Sequence, residues 1–266
     1  MQKSISSLQN AAVKKLVLLK EKSRERKKTN SFVIEGLREI NLALKAGYVF
    51  KEIWICDTIF NAKNEPFLAD FDQKTPIFQC TKEVYDKIAH RGSTEGIIAL
   101  AEAKAHSLEN LNLPQNPLIL IAEAPEKPGN IGALLRTADA AGVDAFILAN
   151  PKTDLYNPNT LRSSVGGVFT VPIALASAAE TIHFLKSKNI AMYSAILQES
   201  KPYQVMDYTK PTAIAVGTEA DGLTEIWREN CQQNISIPMQ GSLDSMNVSV
   251  AAGILIFEAR KQRGFY

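Results

Sequence analysis

The chain has 266 residues, enough for one large domain or two ordinary ones, and its 45% of hydrophobic residues is normal for a globular protein. No apolar run approaches the roughly 18 residues that a membrane-spanning helix needs, and the polar, basic N-terminus has no secretory signal pattern. The three cysteines and three histidines are scattered without metal-ligand spacing, so the sequence predicts free thiols, a cytoplasmic location and no metal site.

The charge is distributed unevenly, although the net charge is only +2. Residues 1–30 contain nine Lys or Arg and two Glu, whereas the rest of the chain carries an excess of acidic residues. A basic segment on a mildly acidic body favours a polyanionic partner at one end of the molecule. Taken alone, however, the same run is also explained by a solvated helix face.

The first hundred residues alternate between short strands and helices, which predicts a small α/β domain. We expect a helix over 8–28, a second helix that ends at Gly47, a third that begins at Thr81, and strands at 32–34, 51–56, 76–79 and 96–101. The segment 107–117 is rich in proline and asparagine and is therefore predicted to be a linker. The predicted domains are thus 1–106 and 118–266.

The second domain begins with a wholly apolar strand, LILIA, of the kind that is buried on both faces of a parallel sheet. A helix over 130–141 follows and ends at Gly142, and another begins at Asn157-Pro158. Further strands are expected at 143–149, 169–173, 190–195 and 213–217, with helices at 177–188 and 223–230. This alternation predicts a parallel, doubly wound sheet, in which ligands bind beyond the carboxyl ends of the strands.

Three polar motifs follow strands of this second domain: PGNIGALLRTADAAG at 128–142, AIAVGTEADGL at 213–223 and IPMQGSLDSMNVSVAAGILIFE at 237–258. The first places Asn130 at a helix start and Arg136 six residues later, near the same helix face. When each is considered alone, Arg136 is explained by an ordinary arginine on a helix surface, and the second motif is explained by a tight turn. Neither G-x-G-x-x-G nor GxxxxGK[ST] occurs, which disfavours ordinary dinucleotide or phosphate-loop binding.

Together the three motifs resemble those of the SpoU, or TrmH-type, branch of the SPOUT RNA methyltransferases. The resemblance is strong over 118–262 and looser over 1–105, where FVIEGLREINLALKAG and the turn at 91–97 are similar to a ribosomal-protein-like RNA-binding domain. Glu95 stands in that turn where relatives often have an amide. Glu123 and Met246 stand where many relatives have Asp and Leu.

The resemblance implies an α/β chain with a small N-terminal RNA-binding domain and a C-terminal SPOUT domain whose parallel sheet carries a deep trefoil knot. It also implies S-adenosyl-L-methionine as the cofactor, a homodimer, and methyl transfer to a ribose 2′-hydroxyl of RNA, with ribosomal RNA favoured. By motif matching, the cofactor-binding residues are Gly217, Ile237 and Met246. The catalytic positions are Asn130, Arg136, Glu219, Ser245 and Asn247.

An arginine stays protonated near neutral pH and is therefore a poor resting base. We therefore expect Arg136 to bind the target phosphate and to stabilise the developing alkoxide, with Asn130 and Ser245 orienting the target. Three alternatives stay open: the same chemistry on transfer RNA, a non-catalytic RNA-binding protein, and a nucleotide-dependent enzyme of the ordinary doubly wound type. The sequence does not indicate which nucleotide is modified.

Overall fold

The protein is described here by a computed structural model that covers residues 3–90, 95–218, 221–242 and 245–265. The chain divides into two compact units. The first contains the residues up to Ala105 together with Tyr156–Arg162, and the second contains His106–Leu155 and everything from Ser163 onwards. We keep the sequence-based division into 1–106, 107–117 and 118–266 as a proposal.

The first unit is built on a five-stranded mixed sheet in the order β1-β4-β3-β5-β2. Strand β5 is antiparallel to both of its neighbours, and the other pairs are parallel. Its elements in chain order are β1 (Lys3–Ile5), α1 (Ala11–Glu21), α2 (Ser23–Thr29), β2 (Ser31–Glu35), α3 (Leu37–Lys45), β3 (Phe50–Cys56), β4 (Ile77–Cys80), α4 (Lys82–Ile88) and β5 (Ile97–Glu102), with a 3-10 helix at Ala62–Asp70.

The single helix predicted over 8–28 was wrong, because the chain breaks at Lys22 into α1 and α2. Lys22 has extended backbone angles, φ −117° and ψ 110°. The buried guanidinium of Arg26 donates to the carbonyls of Leu19 and Lys20, at 2.5 and 3.2 Å. These carbonyls lie in the last turn of α1, where intrahelical partners are missing, so Arg26 stabilises the break.

The side chains of Thr81 and Glu95 each accept a hydrogen bond from a backbone N–H in the first turn of a helix of the first unit. Thr81 caps α4 as predicted, since its hydroxyl accepts the N–H of Val84 at 3.4 Å. The carboxylate of Glu95 accepts the N–H of Leu37, the first residue of α3, at 3.0 Å. A carboxylate is favoured at a helix N-terminus. Glu95 therefore has a structural partner within its own unit, while residues 91–94 of the predicted turn lie outside the described residues.

The second unit contains a seven-stranded parallel sheet in the order β10-β12-β9-β11-β6-β7-β8. This confirms the predicted parallel α/β domain. Most of α6 (Pro158–Ser164) belongs to the first unit. The elements of the second unit in chain order are β6 (Leu118–Glu123), α5 (Pro128–Ala141), β7 (Ala145–Ala149), α7 (Gly167–Thr170), β8 (Ile173–Ala176), α8 (Ala178–Ser187), β9 (Ala191–Ala195), β10 (Lys201–Pro202), β11 (Thr212–Val216), α9 (Glu225–Asn230), β12 (Gln233–Ser236) and α10 (Val248–Arg263).

The predicted position of the strand at 169–173 was wrong, because the observed strand, β8, covers Ile173–Ala176. The chain turns at Val165 and Gly166, which have φ values of 52° and 95°, and then forms the short helix α7. The strand starts only at Ile173, after Pro172. Apolarity alone does not distinguish a short buried helix from a buried strand, and this is the reason for the error.

The central strands β6 and β11 lie side by side and are almost completely buried. Because β9, β11, β12 and β6 run parallel, their carboxyl ends meet at one edge of the sheet. Helix α10 packs against α5 and is fixed at its far end by Arg260 and Arg263, whose guanidinium groups donate to carbonyls such as Ala141 (2.7 Å) and Tyr208 (2.7 Å). Within the described part of the chain, no helix has the length and apolarity to cross a membrane.

Candidate active site

A cavity of about 440 Å³ lies beyond the carboxyl ends of β9, β11 and β12. Gly217, Ile237 and Met246, the residues predicted to bind the cofactor, all line it, and so does Ser245. Its walls combine aliphatic side chains with the backbone of three strand ends, and its size is typical of a small-molecule site. Three segments that are distant in sequence therefore build one cavity.

One wall of this cavity is formed by a loop of which Gly217, Thr218 and residues 221–223 are described, and these two ends of the loop lie close together. Thr218 and Gly222 exchange backbone hydrogen bonds at 3.0 and 3.2 Å. A Cβ atom at Gly217 would lie 2.0 Å from the carbonyl carbon of Gly222, so the close approach requires glycine at 217. The loop thus presents backbone rather than side-chain bulk to the cavity at this point.

The far end of the same loop is held by Glu123, the last residue of β6. Its side chain is buried, with 1% relative exposure, and its two carboxylate oxygens accept the backbone N–H of Thr224 at 2.7 Å and the Thr224 hydroxyl at 2.6 Å. The next residue, Ala124, has a φ of 47°, which turns the chain out of the sheet towards α5. Glu123 consequently joins the loop of the first motif to the loop of the second.

Asn130 and Asn247 meet at the starts of α5 and α10. The Asn247 amide donates to Oδ1 of Asn130 at 3.4 Å, and its own Oδ1 accepts the Ser249 N–H at 3.0 Å and the Ser249 hydroxyl at 2.5 Å. Asn247 is therefore the N-cap of α10. Asn130 lines a smaller cleft of about 90 Å³ that shares Gly217 and Thr218 with the large cavity.

Arg136 lies about one and two-thirds turns beyond Asn130 on α5, and its side chain is exposed. Within the described part of the chain, no hydrogen bond or ion pair joins it to Asn130 or Ser245. Gly167 of α7 packs directly on the α5 backbone here, since a Cβ there would lie 3.0 Å from the Leu135 carbonyl oxygen. The helix position of Arg136 is thus closely supported, and its guanidinium is available to a ligand.

Glu219, the remaining predicted catalytic residue, lies outside the described residues. At the mouth of the smaller cleft, Glu126 and Lys152 form an exposed ion pair at 2.6 Å, and this hydrogen bond lowers the pKa of Glu126 and raises that of Lys152. Among the residues described, no cluster of three or more His, Cys, Asp or Glu is arranged to hold a metal ion.

Comparison with known proteins agrees with this geometry. The SpoU rRNA Methylase family model matches residues 117–257, which is more than half of the chain and includes the whole cavity. The chain belongs to this family. A model of the MRM3-like substrate binding domain matches residues 10–99, which lie in the first unit.

Relatives of this SpoU family member extend along nearly the whole chain. The 23S rRNA (guanosine(2553)-2'-O)-methyltransferase RlmP of Bacillus subtilis is 31% identical over 97% of this chain and 99% of its own length. The AdoMet-bound rRNA methyltransferase of Sinorhizobium meliloti has a TM-score of 0.90 at 28% identity, covering 97% of both chains. The A. aeolicus TrmH/SpoU tRNA modifying enzyme, at 32% identity and a TM-score of 0.51, covers 57% of this chain and 78% of its own.

Sequence reasoning noted Glu123 only as a departure from the family pattern and assigned it no role. The available signal was a carboxylate at the end of an otherwise apolar strand, LILIAE, in a segment predicted to be buried. A buried carboxylate needs hydrogen-bond donors, but the sequence does not indicate that Thr224, 101 residues away, supplies both of them.

Proposed function

We propose that this protein transfers a methyl group from S-adenosyl-L-methionine to a ribose 2′-hydroxyl of 23S ribosomal RNA. The observation that carries the proposal is the cavity at the strand ends, which adjoins a cleft lined by Asn130. The rRNA methyltransferase names of the full-length relatives support the reaction and the substrate. The tRNA-modifying neighbour covers little more than half of this chain, which favours ribosomal over transfer RNA.

The residues of the large cavity fit the proposed cofactor. Its volume is in the range of small-molecule sites, and Gly217 leaves the backbone of its loop accessible to a ligand. Gly217, Ile237 and Met246 would hold the nucleoside and the methionine part between aliphatic side chains and backbone groups. When bound, S-adenosylmethionine would supply a methyl group on a sulfonium, a strong leaving group that needs no metal.

The chain's own contribution is to position the RNA and to stabilise negative charge. The exposed guanidinium of Arg136 would bind the phosphate next to the target and would stabilise the alkoxide that develops on the ribose. Asn130, held by Asn247, would orient the hydroxyl, together with Ser245. Positioning of this kind supplies about 7–11 kcal/mol of a barrier. We also keep Glu219 in the proposal as a catalytic residue, as the resemblance to the family motifs implies.

We further propose that the enzyme is a homodimer that associates through α10. Val250 and Phe257 on this helix are exposed, by 53% and 38%, and Ile254 lies between them on the same face. Exposed apolar side chains that share one helix face are typical of an interface. We also propose that the second unit contains a trefoil knot. The proposed location is the cytoplasm, which suits the free cysteines and the ribosomal substrate.

The experiment is methyl transfer from labelled S-adenosylmethionine to separate pools of unmodified ribosomal and transfer RNA, with products mapped for alkali-resistant linkages. We expect label in ribosomal RNA, its loss with Arg136→Ala, and wild-type activity for Arg228→Ala, which removes an exposed arginine of α9. Near-normal turnover of Arg136→Lys would exclude a planar, bidentate role. Label confined to transfer RNA would overturn the substrate, and no label in either pool would overturn the reaction.

A further inference from the structure

Helix α2 presents three basic side chains on one side. Arg24, Lys27 and Lys28 are all exposed, and their spacing of three and four residues places them next to one another on the helix surface. With a rise of about 1.5 Å per residue, the three positions extend over about 6 Å along the helix axis. We call these three residues the α2 basic face.

Helix stability does not explain this arrangement. Lys27 and Lys28 lie in the last turn, where cations interact favourably with the helix dipole, but Arg24 lies in the first turn, where a cation is unfavourable. In the described residues, no ion pair or side-chain hydrogen bond joins any of the three to an acidic group. The positive charge of the α2 basic face is therefore not neutralised by any residue that the structure describes.

The α2 basic face is also held in place. Arg26, on the opposite side of the helix, is buried with 5% exposure and donates to two carbonyls of the last turn of α1. Asn30 ends α2 in a left-handed conformation, φ 46°, directly before strand β2. Because both ends of this short helix are fixed, little backbone conformational entropy is lost when a ligand binds its exposed side.

We propose that the α2 basic face binds the phosphodiester backbone of the RNA substrate. The proposal rests on the proposed function, because it assigns a second contact to the same RNA. Helix α2, SRERKKT, contains no aromatic side chain on which a base could stack, and its exposed cations are of the type that contacts phosphate oxygens most often. The α2 basic face therefore contributes affinity and salt dependence, and it does not select the nucleotide that is methylated.

The expected effect follows from counter-ion release. Each phosphate contact contributes about 0.7 to 0.9 to the slope of log binding constant against log salt, so removal of three contacts lowers the slope by about two to three. If the original protein and the variant bind RNA equally near 1 M salt, a slope difference of about two makes the affinity of the variant at 0.1 M salt about a hundredfold lower than that of the original protein. The loss is the same for target and unrelated RNA.

The test measures the binding of three triple variants to RNA at several salt concentrations, without cofactor. Each variant is titrated with a fragment of 23S ribosomal RNA and with an unrelated RNA of equal length. The first variant, Arg24→Gln/Lys27→Gln/Lys28→Gln, removes the three charges of the α2 basic face. The matched control, Lys188→Gln/Lys201→Gln/Arg228→Gln, removes three exposed cations from the second unit and changes the net charge equally. Arg24→Lys/Lys27→Arg/Lys28→Arg keeps the charges and verifies that the surface tolerates substitution.

We expect the slope to fall by about two with the α2 triple variant and by less than one with the control. Equal reductions in both would show an effect of bulk charge only and would overturn the proposal, as would an unchanged slope or an absence of RNA binding by the unmodified protein. Because the titration involves no methyl transfer, a protein with this salt response but no activity would overturn the proposed function and leave the α2 contact standing.

Discussion

The contact between Glu123 and Thr224 allows a sharp test of how the cavity is held together. Thr224→Val removes the hydroxyl that donates to Glu123 at 2.6 Å, while the backbone N–H of residue 224 can still donate at 2.7 Å. Valine has nearly the same shape as threonine, so the change isolates one hydrogen bond to a carboxylate that is 1% exposed.

The magnitude follows from the charge and burial of the acceptor. A hydrogen bond to a charged group stabilises a protein by about 1.5–3 kcal/mol, and loss of a donor also leaves one carboxylate oxygen unsatisfied in a buried position. We therefore expect Thr224→Val to lower the free energy of unfolding by about 2 kcal/mol. Thr224→Ser keeps the hydroxyl and is expected to stay within about 0.5 kcal/mol of the original protein.

The assay is urea unfolding together with calorimetric titration of S-adenosylhomocysteine. Since Gly217, Thr218 and residues 221–223 line the cavity next to Thr224, the affinity is expected to fall with Thr224→Val and to recover with Thr224→Ser. Thr209→Val is a suitable control, because Thr209 also donates its hydroxyl and N–H to one carboxylate, Asp207, but in an exposed loop. Unchanged stability and ligand affinity in Thr224→Val would refute the view that Glu123 holds this loop.

Three further predictions concern the cavity, the start of α10 and its exposed face. Gly217→Ala should abolish binding of S-adenosylhomocysteine in calorimetry, because its Cβ would overlap the Gly222 carbonyl, whereas Gly241→Ala, with open space around it, should bind normally. Asn247→Ala should cost about 0.5–2 kcal/mol in urea unfolding, as expected for a lost N-cap, and equal stability would contradict the capping role. Val250→Lys/Phe257→Lys should shift the molecular mass measured by light scattering from dimer to monomer, and an unchanged dimer would exclude this helix face as the interface.

Local sequence patterns determined most of the secondary structure. The apolar run at 118–122 marked a strand that is buried on both faces, and Thr81 and Asn157-Pro158 marked helix starts. These predictions succeeded because they depend on neighbours within a few residues. The pattern failed at 8–28 and at 169–173, where the outcome depends on the Arg26 contact with α1 and on the backbone turn at Val165.

The three motifs likewise identified most of the candidate site. Gly217, Ile237 and Met246 were predicted as one group by the resemblance to the family motifs, and they do line one cavity. The three motifs lie near one another because strands that run parallel bring their carboxyl ends to the same edge. That rule turns sequence order into spatial proximity without knowledge of any side-chain contact. It gives the edge at which the residues lie, but it gives neither their distances nor their partners.

Only the tertiary structure decided which residues hold the site in place. The sequence contains Glu123 and Thr224 but does not pair them, since any of many hydroxyl and amide groups could satisfy a buried carboxylate. Likewise, Asn130 and Asn247 are 117 residues apart and meet because α5 and α10 begin at the same edge of the sheet. Chemistry that depends on local spacing was thus determined by the sequence, whereas long-range partners were determined by the packing that brings strands and helices together.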